Sequence, residues 1–145
     1  MLRVVIDTNI LVSALLSKKG SPALVLNAWR ERKFLVITSD NAITEVERVL
    51  QELASTGKYI ISKEDIESIL NLLHKDAILV PGQIDTMGAI PQDPDDEKYL
   101  SITLEAEAKE IISGDSHLLD LVSYQNIKIQ SASEFLASLE SESFT

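Results

Sequence analysis

Several acidic side chains in this sequence stand at the ends of apolar runs. Val4-Val5-Ile6-Asp7-Thr8-Asn9 and Ile111-Ile112-Ser113-Gly114-Asp115 each pass from β-branched residues into an aspartate. Glu45 sits in a helical pattern that follows the apolar run Phe34–Thr38. The cluster Asp93-Pro94-Asp95-Asp96-Glu97 opens another helical pattern, ahead of Glu110–Ser113. Carboxylates brought to one edge repel each other and need compensation. A hard cation such as Mg²⁺ or Mn²⁺ supplies it, and neither a cysteine nor a histidine cluster competes for a softer metal. Oxygen-bound divalent ions suit phosphoryl chemistry, because they activate water and stabilise charge on phosphoryl oxygens.

Each acid also has a plainer use. An aspartate after a strand often caps the next helix, and acids in a first helical turn are favoured by the helix dipole. The chemical reading therefore rests on their joint placement. His74 and His117 have no partner at ligand spacing and read as structural or solvent-facing.

The elements that must position these acids alternate. Leu2–Ile6, Phe34–Thr38, Ala77–Val80, Glu110–Ser113 and Ile127–Gln130 read as short apolar strands. Helical periodicity fills the stretches between them. Ile10, Leu11, Ala14 and Leu15 form one stripe, and Ile43, Val46, Val49, Leu50 and Leu53 another. Ser21-Pro22, Ser39, Ser62-x-x-Asp65, Asp93-Pro94 and Ser131-x-x-Glu134 are helix-start signals. Residues 81–92 form the one long loop expected. Such alternation predicts an α/β domain with a parallel sheet covered by helices on both faces. In that architecture ligands bind beyond the carboxyl ends of the strands.

A chain of 145 residues, 45% hydrophobic and 25% charged, has room for one core. Residues 1–140 are expected to form a single domain, with 141–145 as a C-terminal tail. With no cysteine, a disulfide scaffold, a thiolate zinc site and a cysteine nucleophile are excluded. No apolar run is long enough to span a membrane, and a charge follows the N-terminus too soon for a signal peptide, so a cytoplasmic protein is expected. The net charge of −10 opposes binding to a phosphate backbone, but it is unevenly spread. Residues 1–33 carry six bases against two acids. Lys18, Lys19, Arg30, Arg32 and Lys33 are thus candidates for an RNA-binding face.

Taken in order, these segments resemble the PIN domain, a family of metal-dependent nucleases that includes VapC-type toxins. Val4–Leu16 resembles the family's first motif, a hydrophobic strand ending in Asp-Thr-Asn. Thr38-Ser39 with Glu45-Val46 resembles the second, Asp93–Lys98 the third, and Ile111–Asp115 with Leu118-Leu119 the fourth. Ala132–Leu136 resembles the closing segment. The third motif is most like the branch of toxin components of toxin–antitoxin systems.

The resemblance implies a single-domain three-layer α/β/α sandwich with a five-stranded parallel sheet. It implies Asp7, Glu45, Asp96 and Asp115 around one or two Mg²⁺ or Mn²⁺ ions, with Asp7 and Asp115 as anchoring ligands. Asp93 and Glu97 stay open as alternatives to Asp96. Asn9 and Ser113 would orient the carboxylates through hydrogen bonds. His117 stands where many relatives carry another aspartate. The implied activity is an endoribonuclease on single-stranded RNA, leaving 5′-phosphate and 3′-hydroxyl ends. An antitoxin partner and a homodimer are implied with it.

Other readings compete. A catalytically quiet module of the same family would bind RNA or a partner without cutting. A phosphatase of the haloacid-dehalogenase kind needs a second aspartate where Asn9 stands. A dinucleotide-binding domain needs a glycine-rich turn where Asp7-Thr8-Asn9 stands.

Overall fold

The computed structural model describes residues 1–86, 88–90 and 97–143. In chain order the elements are β1 (Arg3–Ile6), α1 (Thr8–Leu16), α2 (Ser21–Arg30), β2 (Leu35–Thr38), α3 (Asp40–Ser55), α4 (Lys63–Asp76) and β3 (Ile78–Leu79). They continue with α5 (Glu97–Glu105), β4 (Glu110–Ile112), α6 (Ser116–Leu121), β5 (Ser123–Tyr124), β6 (Ile127–Gln130) and α7 (Ala132–Ser143).

The strands lie in the order β3-β2-β1-β4-β6-β5. Every pair is parallel except β5 with β6. The expected parallel strands are present, and the sheet gains a sixth at its edge. This β5–β6 hairpin turns through Gln125 and Asn126, both at positive φ (46° and 71°), as a two-residue hairpin turn requires. Without the usual glycine, the sequence gives little warning of it.

Alternation along the strands splits the core into two layers. Val4, Ile6, Val36 and Ile112 pack under α1, α2, α3, α4 and α7. Val5, Ile37, Ile111 and Ile129 face the other way, against α5 and α6. Phe34 and Phe135 meet edge-to-face at 5.1 Å where α2 and α7 adjoin. Leu50 of α3 is fully buried, so truncating it to alanine would cost about 2–5 kcal/mol. Among the described residues no helix is long and apolar enough to cross a membrane.

Most helix starts follow the expected chemistry. Ser39 Oγ accepts from Ala42 N–H at 3.1 Å, and Ser62 Oγ from Asp65 N–H at 3.0 Å. Ser131 and Glu134 bond reciprocally, each side chain accepting the other's N–H at 3.2 Å. Ser21 departs from its expected role. Gly20 is the extended cap residue of α2, so Ser21 is already helical and makes no capping bond. The Asp93-Pro94 start lies outside the described residues. Pro81-Gly82 ends the third strand segment as expected, with Gly82 at φ +70° and its Cα side closed by Ile102. α5 stops before Glu107, which takes φ 54° and turns the chain toward β4.

Candidate metal-dependent nuclease site

Strand order reverses between β1 and β4, the position where open α/β sheets form a crevice beyond their carboxyl ends. Asp7 follows β1 there, and its N–H donates to Ile112 O of β4 at 3.0 Å. The register that sets Ile6 opposite Ile112 therefore places Asp7 beside Ser113.

Both oxygens of Asp7 are held. Oδ1 caps α1 by accepting Ile10 N–H at 3.0 Å. Oδ2 accepts the Ser113 hydroxyl and the Gly114 N–H at 3.2 Å. The side chain is buried. Burial pushes its carboxyl up to about 6, with the charge of Asp115 adding to the rise. The bonds from Ser113, Ile10 and Gly114 pull in the opposite direction.

Asp115 caps α6, accepting Leu118 N–H at 3.1 Å through Oδ2. Its own N–H donates to Ser113 Oγ at 2.9 Å. Ser113 thus links the two aspartates. Both aspartates serve as helix caps, and both stand at one rim. Asn9 is exposed on the first turn of α1, beside Gly114.

Glu45 reaches the same region from α3. Its Oε2 accepts the hydroxyl of Thr8 and that of Tyr99, the latter at 2.9 Å. Its Oε1 pairs with Lys98 Nζ at 2.8 Å. Burial alone would raise this carboxyl, but the bonds from Lys98, Thr8 and Tyr99 outweigh it and hold it below the usual range. Tyr99 is buried among these acids, and its hydroxyl also accepts Thr8 N–H at 2.9 Å. Burial, and then the charge of Glu45, push the Tyr99 phenol well above its ordinary value.

Sequence reasoning assigned no role to Thr8, Tyr99 or Lys98. Thr8 lies within the Asp-Thr-Asn motif, which was the available signal. Nothing in the sequence announces that residue 99 will meet residue 8.

Of the third-motif acids, Asp93 and Asp96 lie outside the described residues. Glu97 opens the described part of α5 and accepts the Thr86 hydroxyl at 2.8 Å. His117 is half-buried in α6, and His74 is exposed near the end of α4.

The basic residues of the first third are placed elsewhere. Arg30, Arg32 and Lys33 lead into the amino end of β2, whereas Asp7 stands at the carboxyl end of the parallel neighbour β1. Lys33 pairs with Glu31 at 3.3 Å. Lys18 and Arg30 line a cleft among α1, α2 and α4, together with Asp65 and Ser68. Lys19 follows α1.

Among the described residues, no three of Asp, Glu and His converge closely enough to hold a metal ion, and no lysine or arginine pairs with Asp7 or Asp115. The described part of the site is a pair of neighbouring carboxylates with raised proton affinity at Asp7 and only neutral donors around it. That donor set suits an oxygen-seeking divalent cation, whose charge would offset the desolvation of Asp7.

The sequence matches the PIN domain over residues 3–117, most of its length. It is also 27% identical over 148 residues to the uncharacterized protein MJ1680 of Methanocaldococcus jannaschii, covering 96% of this chain and 92% of that protein. With the parallel sheet and the acidic rim in place, the chain belongs to the PIN domain family, whose members are nuclease-type domains acting on nucleic acid.

Proposed function

We propose that this chain is a metal-dependent endoribonuclease that hydrolyses phosphodiester bonds of single-stranded RNA. Its biological setting is the cytoplasm, as the VapC-like toxin of a toxin–antitoxin pair and as a homodimer. The observation that carries the chemistry is Asp7: a carboxylate buried beside Asp115, with its proton affinity raised and no cation among the described residues paired to either acid.

Asp7 and Asp115 would hold one or two Mg²⁺ or Mn²⁺ ions together with Asp96, with Glu45 beside them. When bound, the cation lowers the pKa of water and stabilises charge on the phosphoryl oxygens. The chain's own residues do the rest. Ser113 and the N–H groups of Ile10 and Gly114 keep the Asp7 carboxylate from turning, while Leu118 N–H holds that of Asp115. Tyr99 and Thr8 hold the carboxylate of Glu45 in one orientation.

The test is cleavage of a labelled panel of single-stranded RNA, duplex RNA and single-stranded DNA, with and without Mn²⁺. Wild type and Asp7→Asn are compared. Mn²⁺-dependent cutting of single-stranded RNA, lost in Asp7→Asn, is expected. Cutting in EDTA, or undiminished cutting by the variant, overturns the mechanism. RNA binding with no cutting by the folded wild type would instead mark a quiet binding module. For the toxin role, induced wild type should arrest growth of a host cell while Asp7→Asn does not.

A further inference from the structure

One acid of the rim already has a cation beside it. Glu45 Oε1 pairs with Lys98 Nζ at 2.8 Å, whereas Asp7 has only neutral donors. The pair is partly shielded, with side-chain exposures of 24% for Lys98 and 21% for Glu45, so salt screens it less than a surface pair. The same ammonium lies 5.8 Å from the centre of the Tyr99 ring, a second contact that holds it.

Glu45 and Asp7 share one neighbourhood. Glu45 Oε2 accepts from Thr8, the residue after Asp7, and from Tyr99. After burial, the charges of Glu45 and of Asp7 both push the Tyr99 phenol up, so both acids stand within electrostatic reach of one hydroxyl. A divalent cation held among these acids would meet the Lys98 ammonium at Glu45, where like charges repel. Lys98 borders two clefts. One lies beside Glu45, with Asn41, Thr44 and Arg48. The other carries the carboxylates of Asp85 and Glu97, a negative surface that an ammonium leaving Glu45 would find.

We propose that Lys98 is a resident counter-cation of the metal site: its ammonium holds Glu45 in place in the metal-free chain and withdraws toward the cleft of Asp85 and Glu97 when a divalent cation binds at Glu45. This rests on the metal-dependent reading above and adds Lys98 to it as a positioning residue. Affinity for the ion is then the difference between two pairings of Glu45. A singly charged ion gains little by replacing an ammonium of equal charge, so the arrangement favours doubly charged ions.

The experiment follows the Lys98 ammonium and the affinity of the site together. NMR of the ¹⁵N-labelled lysine ammonium groups is recorded for the full chain as Mg²⁺ is added, with Lys98→Met identifying the Lys98 signal. Calorimetry gives Mg²⁺ affinity, and thermal melts check folding. The Lys98 signal should move with the same midpoint as the calorimetric titration. Lys98→Met should lower the Tm of the metal-free chain yet raise Mg²⁺ affinity several-fold. Lys98→Arg keeps the charge and should stay near wild-type affinity. In a Glu45→Gln background the gain from Lys98→Met should vanish, because the ammonium acts through that carboxylate.

A Lys98 signal that stays fixed while Mg²⁺ binds overturns the proposal. So does unchanged or weaker Mg²⁺ binding by folded Lys98→Met, or a gain that persists in the Glu45→Gln background. Failure of the underlying reading looks different. If neither wild type nor Lys98→Met binds Mg²⁺, the metal site itself is refuted. Displacement of Lys98 by Mg²⁺ without cleavage of RNA refutes the nuclease and leaves the counter-cation standing.

Discussion

Ser113 joins Asp7 to Asp115 across the ends of neighbouring parallel strands. Its hydroxyl donates to Asp7 Oδ2 and accepts the Asp115 N–H at 2.9 Å. One fully buried hydroxyl therefore ties the carboxylate of Asp7 to the backbone of Asp115, far away in sequence.

Removing that hydroxyl should loosen the metal site without breaking the fold. In Ser113→Ala the Asp7 carboxylate loses a donor to its charged form, so its pKa should climb above about 6. Mn²⁺ affinity should fall by roughly 10–100-fold, as when a group that orients a ligand is removed. Calorimetry for the metal and carbon-detected NMR titration of Asp7 measure both effects. A Ser113→Ala chain with wild-type affinity would remove the bridge from the argument.

Asp7 should make the metal-free protein less stable at neutral pH than in acid. The folded chain holds this proton to about 6, against 3.8 for an ordinary aspartate. Between those values the native state binds more protons than the unfolded one, so this group's contribution falls as pH rises. It is most favourable below pH 3.8 and about 3 kcal/mol less so above pH 6. Asp7→Asn should therefore gain about 1–2 kcal/mol at pH 7.5, after roughly 1 kcal/mol is lost at the Gly114 N–H. That is a rise of about 2–4 °C in Tm for each kcal/mol. Melts of metal-free wild type and variant at pH 4.5 and 7.5 provide the check. A variant less stable than wild type at pH 7.5 contradicts it.

Tyr99→Phe should be costly although it keeps the ring. The substitution leaves the buried Thr8 N–H without its acceptor and removes one donor from Glu45. A loss of about 1–3 kcal/mol is expected in urea unfolding, the usual penalty for an unsatisfied buried polar group. Near-wild-type stability would mean that water or a neighbour replaces the hydroxyl.

Much of this arrangement is legible in the sequence, for physical reasons that also set its limits. The runs ending at Asp7 and Asp115 can be read because a buried parallel strand must be apolar throughout and its end must turn polar. Capping signals such as Ser39 and Ser131 can be read because they act within one turn. Tyr99 cannot, since its role exists only once α5 is laid against α1 and α3. The placement of the basic residues was hidden for a related reason. Closeness in sequence put Arg30, Arg32 and Lys33 together, but the parallel topology delivers them to the amino end of β2, away from the acids. The β5–β6 hairpin escaped because Gln125 and Asn126 adopt positive φ without a glycine to mark it.

Since Asp7 starts α1 with one oxygen and faces Ser113 with the other, silencing this position is not a neutral edit. Alanine would free the first turn of the helix along with the reactive edge, and any lost activity could then be blamed on fraying. Asparagine keeps an oxygen for Ile10, which makes it the cleaner knockout. The same coupling means that a cation or proton arriving at Asp7 should be felt along α1, giving amide exchange at Ile10 and Leu11 as a built-in reporter of occupancy.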